Sequence, residues 1–168
     1  MPLEAPVLLE SRERLRLLAA DLEAKYVGGR PFFDALDESL RSPYYFTALL
    51  ERYFDVFPDH PRIAVSGDFG RRFARWLRGW SKSFGPPLVF PGDLRHNDLP
   101  PLPLSLEGET FVFIDDSYYL GRTRAKIRKA IEDAGGRFYG SLVLYDGSRE
   151  PPAIESFFRY HPAKGYQT

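Results

Sequence analysis

The chain has 168 residues, 43% hydrophobic and 27% charged, with 23 Lys plus Arg against 23 Asp plus Glu and no cysteine. That length suits one domain with a sizeable core, and zero net charge argues against a generic polyanion binder, a local basic patch aside. The lack of cysteine excludes disulfides, thiolate zinc sites and a cysteine nucleophile, and no stretch is long and apolar enough to span a bilayer.

The N-terminus, MPLEAPVLLESRERLR, carries early acidic residues and no apolar signal region, so a cytoplasmic protein without membrane partners is expected. Leu15, Leu18, Ala19 and Leu22 recur at helical spacing, and Gly28-Gly29 ends that pattern. A short segment with Phe33, Leu36 and Leu40 follows. Pro43 then opens a strongly aromatic helix with Phe46, Leu49, Leu50, Tyr53, Phe54 and Phe57, closed by Pro58. Residues 1–60 therefore read as a helical segment, serving as a hood or an oligomer surface. Residues 61–168 read as an α/β core with an aromatic tail.

From Arg62 onward strands and helices alternate. Arg62–Val65 reads as a short buried strand, Ser66–Gly70 as a turn, and Phe73, Trp76, Leu77 and Trp80 as one face of a helix. Pro87–Phe90 is a second strand. The Pro-rich stretch from Pro91 to Glu109 has little periodicity and reads as a long loop of the kind that often serves function. Thr110–Ile114 is a third strand. Ile127, Ala130, Ile131 and Ala134 line a helix ending at Gly135-Gly136, and Phe138–Tyr145 is a fourth strand. The pattern predicts an α/β fold with a mainly parallel sheet of about four or five strands flanked by helices. Ligands of such sheets bind outside the carboxyl ends of the strands. The turns at Ser66–Gly70 and Asp115–Thr123 both lie there.

The stretch FVFIDDSYYLGRT, residues 111–123, holds the chemistry. A strand running into a helix leaves the first helical N–H groups unpaired at a partly positive dipole end, which suits a phosphate. Gly121 admits close backbone approach or a positive φ, Thr123 can cap the helix or donate to an anion, and Arg122 can fork onto phosphate oxygens. Asp115 and Asp116 can accept hydrogen bonds from a sugar diol or hold a magnesium ion that bridges ligand oxygens. Together these groups suit a phosphorylated ribose.

The same stretch resembles the phosphoribosyl-pyrophosphate motif of type I phosphoribosyltransferases: a hydrophobic strand, two acids, three variable residues, then Thr-Gly-x-Thr. The resemblance runs on through EDAGG and the strand SLVLYD, and VSGDFGRRFARWL is similar to the family's earlier pyrophosphate loop and its helix, so about residues 60–146 are covered. It implies that Asp115 and Asp116 hold the ribose hydroxyls and Mg2+. Ser117, Tyr118, Tyr119, Leu120, Gly121, Arg122 and Thr123 would form the 5′-phosphate turn, and Ser66, Gly67 and Asp68 would meet the pyrophosphate. Arg71, Arg95 and His96 become the catalytic candidates, stabilising charge on the leaving pyrophosphate from the helix start and from a mobile loop. A homodimer is also implied. Leu120 stands where the motif has its first Thr, and Tyr118 and Tyr119 are bulky for a tight phosphate pocket.

Other readings stand beside these. The acids can simply end a strand, the Ser66–Gly70 turn can be purely structural, and His96 can be an exposed loop histidine. The run Arg122, Arg124, Lys126, Arg128, Lys129 reads first as a solvated helix face. Joined with Arg71, Arg72, Arg75 and Arg78 it makes a nucleic-acid patch the less favoured alternative. Phe157, Phe158 and Tyr160 either stack on a nucleobase or pack the tail onto the sheet. The function expected is therefore phosphoribosyl-pyrophosphate or nucleotide 5′-phosphate binding. It comes either with transfer to a nitrogen base, or in a non-catalytic regulator of the same fold.

Overall fold

Phe46, Leu49, Leu50 and Tyr53 recur at three- and four-residue spacing, which lays them on one stripe of a helix. In the computed structural model this helix, α1, runs Tyr44–Val56, and the stripe is buried. The structure describes residues 44–79, 85–92, 94, 98–118, 121–146, 155–161 and 165–167, together with Leu17, which is helical. The expected helix with Leu15, Leu18 and Leu22, the segment from Phe33 to Leu40, and Trp80 lie outside the described residues.

The alternation after Arg62 becomes β1 (Arg62–Ser66), α2 (Gly67–Leu77), β2 (Leu88–Phe90), β3 (Thr110–Tyr118), α3 (Arg122–Asp133), β4 (Arg137–Asp146), β5 (Glu155–His161) and β6 (Gly165–Gln167). They form one sheet in the order β2-β1-β3-β4-β5-β6, every pairing parallel except β5 with β6. The chain is thus α/β with a mainly parallel sheet flanked by helices, as the alternation predicts.

Three expectations change. The third strand does not end at Ile114. Its ladder with β4 runs on through Asp115↔Val143, Ser117↔Tyr145 and Tyr118↔Asp146, so Asp115 to Tyr118 are strand and not turn. The turn preference of Asp is a side-chain effect, and a long parallel partner offering backbone hydrogen bonds overrides it. Ser66–Gly70 is likewise no separate turn, because α2 begins at Gly67 directly after β1. The tail contributes two strands, making six where about four or five were expected. Its main chain satisfies the N–H and C=O groups along the outer edge of β4.

Strand alternation sorts the core into two faces. Ala64, Phe90, Phe111 and Phe113 point to one, where Ile127 and Ile131 of α3 complete a buried cluster. Leu94 and Leu106 join it, with Leu99 and Leu102 partly buried against it. The stretch read as a loop with little apolar pattern therefore lays four leucines on the α3 face. Ile63, Val65, Val112 and Ile114 alternate with that set and are fully buried on the other face. There Gly70 of α2 comes so near that an added Cβ would stand 2.9 Å from the Val65 Cβ. Phe46 of α1 meets Phe69, Phe73 and Trp76 of α2 at ring separations of 5.5, 5.3 and 5.8 Å. Edge and tilted aromatic pairs of this kind each add about 0.5–1.5 kcal/mol beyond their buried area.

The end of α1 is tied to the start of β1. The buried Tyr53 hydroxyl donates to the Pro61 carbonyl at 2.6 Å, and burial pushes the phenol well above its usual range, keeping the proton in place. Tyr53→Phe removes that donor from a buried carbonyl. It is expected to lower the unfolding free energy by about 1–2 kcal/mol in urea with an unaltered slope; an unchanged midpoint would show that the tie carries no stability.

Candidate functional site

The chain leaves β1 through α2 toward β2 on one side, then returns past β1 to β3 and continues through α3 to β4 on the other. Because such crossovers are right-handed, α2 and α3 lie on opposite faces, and a crevice opens between the carboxyl ends of β1 and β3. The register Ala64↔Phe113, carried on by two residues, sets Ser66 level with Asp115 at that crevice. Neighbouring strands stand about 4.8 Å apart. By alternation Ser66 and Asp115 share the α3 face, while Asp116 belongs to the α2 face. Both acids are half-buried. The Asp116 amide donates to Asp115 Oδ1 at 2.9 Å, which fixes one oxygen of Asp115 against the main chain.

The two helix starts differ electrostatically. Gly121 precedes α3 at φ 73°, ψ 14°, and no side chain caps that helix. The first turn of α3 holds no acid, and Arg122 is exposed there. Bare N–H groups, a dipole end and a cation make it an anion cradle. The first turn of α2 instead contains Asp68, paired with Arg72 at 3.2 Å and loosely with Arg71 at 3.9 Å, all three exposed. Asp68 opposes a bare anion at α2, while Arg71 and Arg72 offset its charge. Gly67 opens α2 at φ +67°, and the Gly92 Cα lies 3.8 Å from where its Cβ would be. The segment after β2 thus rests its backbone on the start of α2.

The structure brings Ser66, Gly67, Asp68, Arg71, Asp115, Asp116, Gly121, Arg122 and Thr123 to the carboxyl edge. Ser117 and Tyr118 are there by register, as strand residues. Arg95, His96, Tyr119 and Leu120 lie outside the described residues. Of the basic run, Arg128 and Lys129 pair with Glu132 and Asp133 on their own helix. Arg124 instead donates to the Ser141 hydroxyl at 2.8 Å and lies over the Phe138 ring. The i, i+4 pairs were readable in the sequence; the partners of Arg124 were not, since they come from another strand.

Among the described residues, no three His, Cys, Asp or Glu side chains converge as a metal cluster, and no helix is long and apolar enough to cross a membrane. Asp115 and Asp116 offer hard oxygen donors. This fits a magnesium ion that draws its other ligands from water and substrate oxygens. A polar cleft of about 390 Å³ lined by Asp59, His60, Arg62, Pro86 and Glu109 lies at the opposite, amino edge. There Arg62 is committed to the Pro86 carbonyl and the Glu109 carboxylate.

No family model matches the sequence, and no curated protein matches it. Solved structures do match in three dimensions. A purine phosphoribosyltransferase from Pyrococcus horikoshii aligns with a TM-score of 0.53 at 17% identity, over 71% of this chain and 82% of that one. The chain has a phosphoribosyltransferase-like fold. A phosphoribosyltransferase from Corynebacterium diphtheriae aligns with a TM-score of 0.50 at 15% identity, over 79% of this chain and 82% of that one. At such identities the likeness is one of fold, and it agrees with the resemblance read from Phe111–Thr123. Within this phosphoribosyltransferase-like sheet, the motif lies on the strand next to the switch in strand order.

Gly121, like Gly67, holds a positive φ at the site. Gly121→Ala places a Cβ at a left-handed φ and is expected to cost about 1–2 kcal/mol of stability. Gly140→Ala, in a strand with open space around the added Cβ, should be neutral or mildly stabilising. Thermal melts of the two variants side by side check this; equal melting temperatures would remove the conformational requirement at residue 121.

Proposed function

We propose that the crevice between β1 and β3 binds phosphoribosyl pyrophosphate, or a nucleotide through its ribose 5′-phosphate, and transfers the phosphoribosyl group to a nitrogen base. The observation that carries this reading is the pairing of Asp115 and Asp116 at the switch point with an acid-free, uncapped helix start six residues on. The 5′-phosphate sits on the N–H groups that follow Gly121, with Arg122 beside it. Asp115 and Asp116 accept hydrogen bonds from the ribose hydroxyls and hold the ring while positive charge grows at C1. The base nitrogen forms its bond to C1 as the bond from C1 to the pyrophosphate oxygen breaks, and the electron pair leaves with pyrophosphate.

Asp115 or Asp116 would offer a carboxylate oxygen to magnesium, which would supply charge neutralisation to the oxygens of the leaving pyrophosphate. Arg71, whose pairing with Asp68 is long at 3.9 Å, is assigned to the same oxygens, and Arg95 and His96 are assigned the same task from the segment after β2. Ser66, Gly67 and Asp68 line the pyrophosphate side. Leu120, in the place of a motif Thr, favours a second reading: a nucleotide-binding regulator that performs no transfer.

Isothermal titration with phosphoribosyl pyrophosphate and magnesium tests binding, and pyrophosphate release across a panel of nucleobases separates enzyme from regulator. The double variant Asp115→Asn, Asp116→Asn is expected to stay folded and to lose roughly 1.5–3 kcal/mol of binding per charged hydrogen bond. Wild-type affinity in that variant would remove the ribose role. A two-fold dimer is part of the proposal. Since Phe46, Leu49, Leu50, Tyr53 and Phe57 are buried within one chain, it would use other surface, such as that around exposed Val89, Leu104 and Tyr139. Light scattering at micromolar concentration should give twice the chain mass; a monomer mass sinks that part.

A further inference from the structure

We propose that Lys126 is a positioning residue of the carboxyl-edge site: it fastens the connection after β2 to α3, the helix whose first turn is the anion cradle. The inference rests on the reading of that site as a phosphoribosyl site. Lys126 stands one helical turn beyond Arg122. Its Nζ donates to the Leu94 carbonyl oxygen and lies 3.6 Å from Asp98 Oδ1. Leu94 is 3% exposed and packs in the cluster that contains Ile127 and Ile131. The tie therefore has an apolar foot and a charged pin.

The contrast with its neighbours shows that this is no ordinary solvated lysine. Arg128 and Lys129 find carboxylates four residues on along α3. The residue four beyond Lys126 is Ala130, and the Leu94 carbonyl that Lys126 holds lies 32 residues earlier in the chain, in the same connection as Asp98. Holding a lysine in one geometry costs side-chain entropy. Here that cost goes into locating the connection.

Two residues before Leu94 the same connection lies against the start of α2, where an added Cβ on Gly92 would stand 3.4 Å from the Gly67 Cα. One segment thus touches the start of α2 and the second turn of α3. On the proposed reading those two helices meet the pyrophosphate and the 5′-phosphate of one ligand. A connection placed in advance reduces the ordering cost of binding such a ligand.

The test uses Lys126→Met, which keeps the aliphatic stem and removes the donors, with Lys126→Arg as the conservative rescue and Lys129→Met as a surface control. Hydrogen exchange is measured without ligand in peptides covering 90–106, and affinity for phosphoribosyl pyrophosphate with magnesium by calorimetry. In Lys126→Met, exchange is expected to rise about tenfold and affinity to fall about five- to tenfold, with Lys126→Arg restoring both. Lys129→Met, at an exposed lysine that pairs with Asp133 along its own helix, should move each by less than about twofold.

Unchanged exchange in a folded Lys126→Met protein overturns the tie. Faster exchange with wild-type affinity makes Lys126 structural only and overturns the positioning role. Should Lys126→Met not fold, Lys126→Gln carries the same comparison. The wild-type titration reports separately on the site: a wild type that binds no phosphoribosyl pyrophosphate removes the phosphoribosyl reading, and the positioning role with it.

Discussion

Everything at the carboxyl edge follows from the reversal of strand order between β1 and β3. Two right-handed crossovers that run in opposite directions put α2 and α3 on opposite faces of the sheet. Among the described residues no helix then covers the gap between the two strand ends, and both helix starts open toward it. The crevice is a consequence of topology, and the side chains only determine what it holds.

The return from β2 to β3 is where the chain departs from a plain alternation of strands and helices. It crosses the α3 face with no helix among its described residues. Leu94, Leu99, Leu102 and Leu106 do the covering that a helical stripe would otherwise do. The Leu106 amide donates to the Ala134 carbonyl at 2.8 Å, and the Arg137 amide to the Glu109 carbonyl at 2.9 Å. These bonds dock the end of the connection beside the end of α3, so backbone groups outside the regular elements still find partners. Full burial, as at Leu94 and Leu106, is worth roughly 1.5–3 kcal/mol per leucine, and the half-buried Leu99 and Leu102 add to the hold on a segment without periodic hydrogen bonding of its own.

The two helix starts share a geometry and differ in charge. The α3 start, bare of acids and beside Arg122, suits the most concentrated negative charge of a ligand. The α2 start carries Asp68 beneath Arg71 and Arg72 and suits an anion already partly neutralised by a cation. A ligand with a bare phosphate at one end and a metal-bridged pyrophosphate at the other matches that asymmetry. On the proposed reading the half-buried acids, two residues short of the end of β3, fall between the ligand's two charged ends.

The helical and strand periodicities, the glycines that end or open elements and the motif from Phe111 to Thr123 were legible in the sequence because each is a local signal. They suffice for the fold class and for the proposal that Asp115, Asp116 and Gly121 share one site. The extension of β3 to Tyr118 was not legible, since it depends on hydrogen bonds from β4, nor were β5 and β6, whose aromatic sequence shows no clean alternation. Lys126 read as one more solvated cation because its partners, the Leu94 carbonyl and Asp98, are far away in the chain. By itself, then, the sequence determined the alternation of helices and strands from α1 to β4 and nominated the residues for the proposed chemistry. Only the tertiary structure decided which backbone edges pair, which face each acid takes and which charges are spent within the fold, because those contacts join groups that no local pattern links.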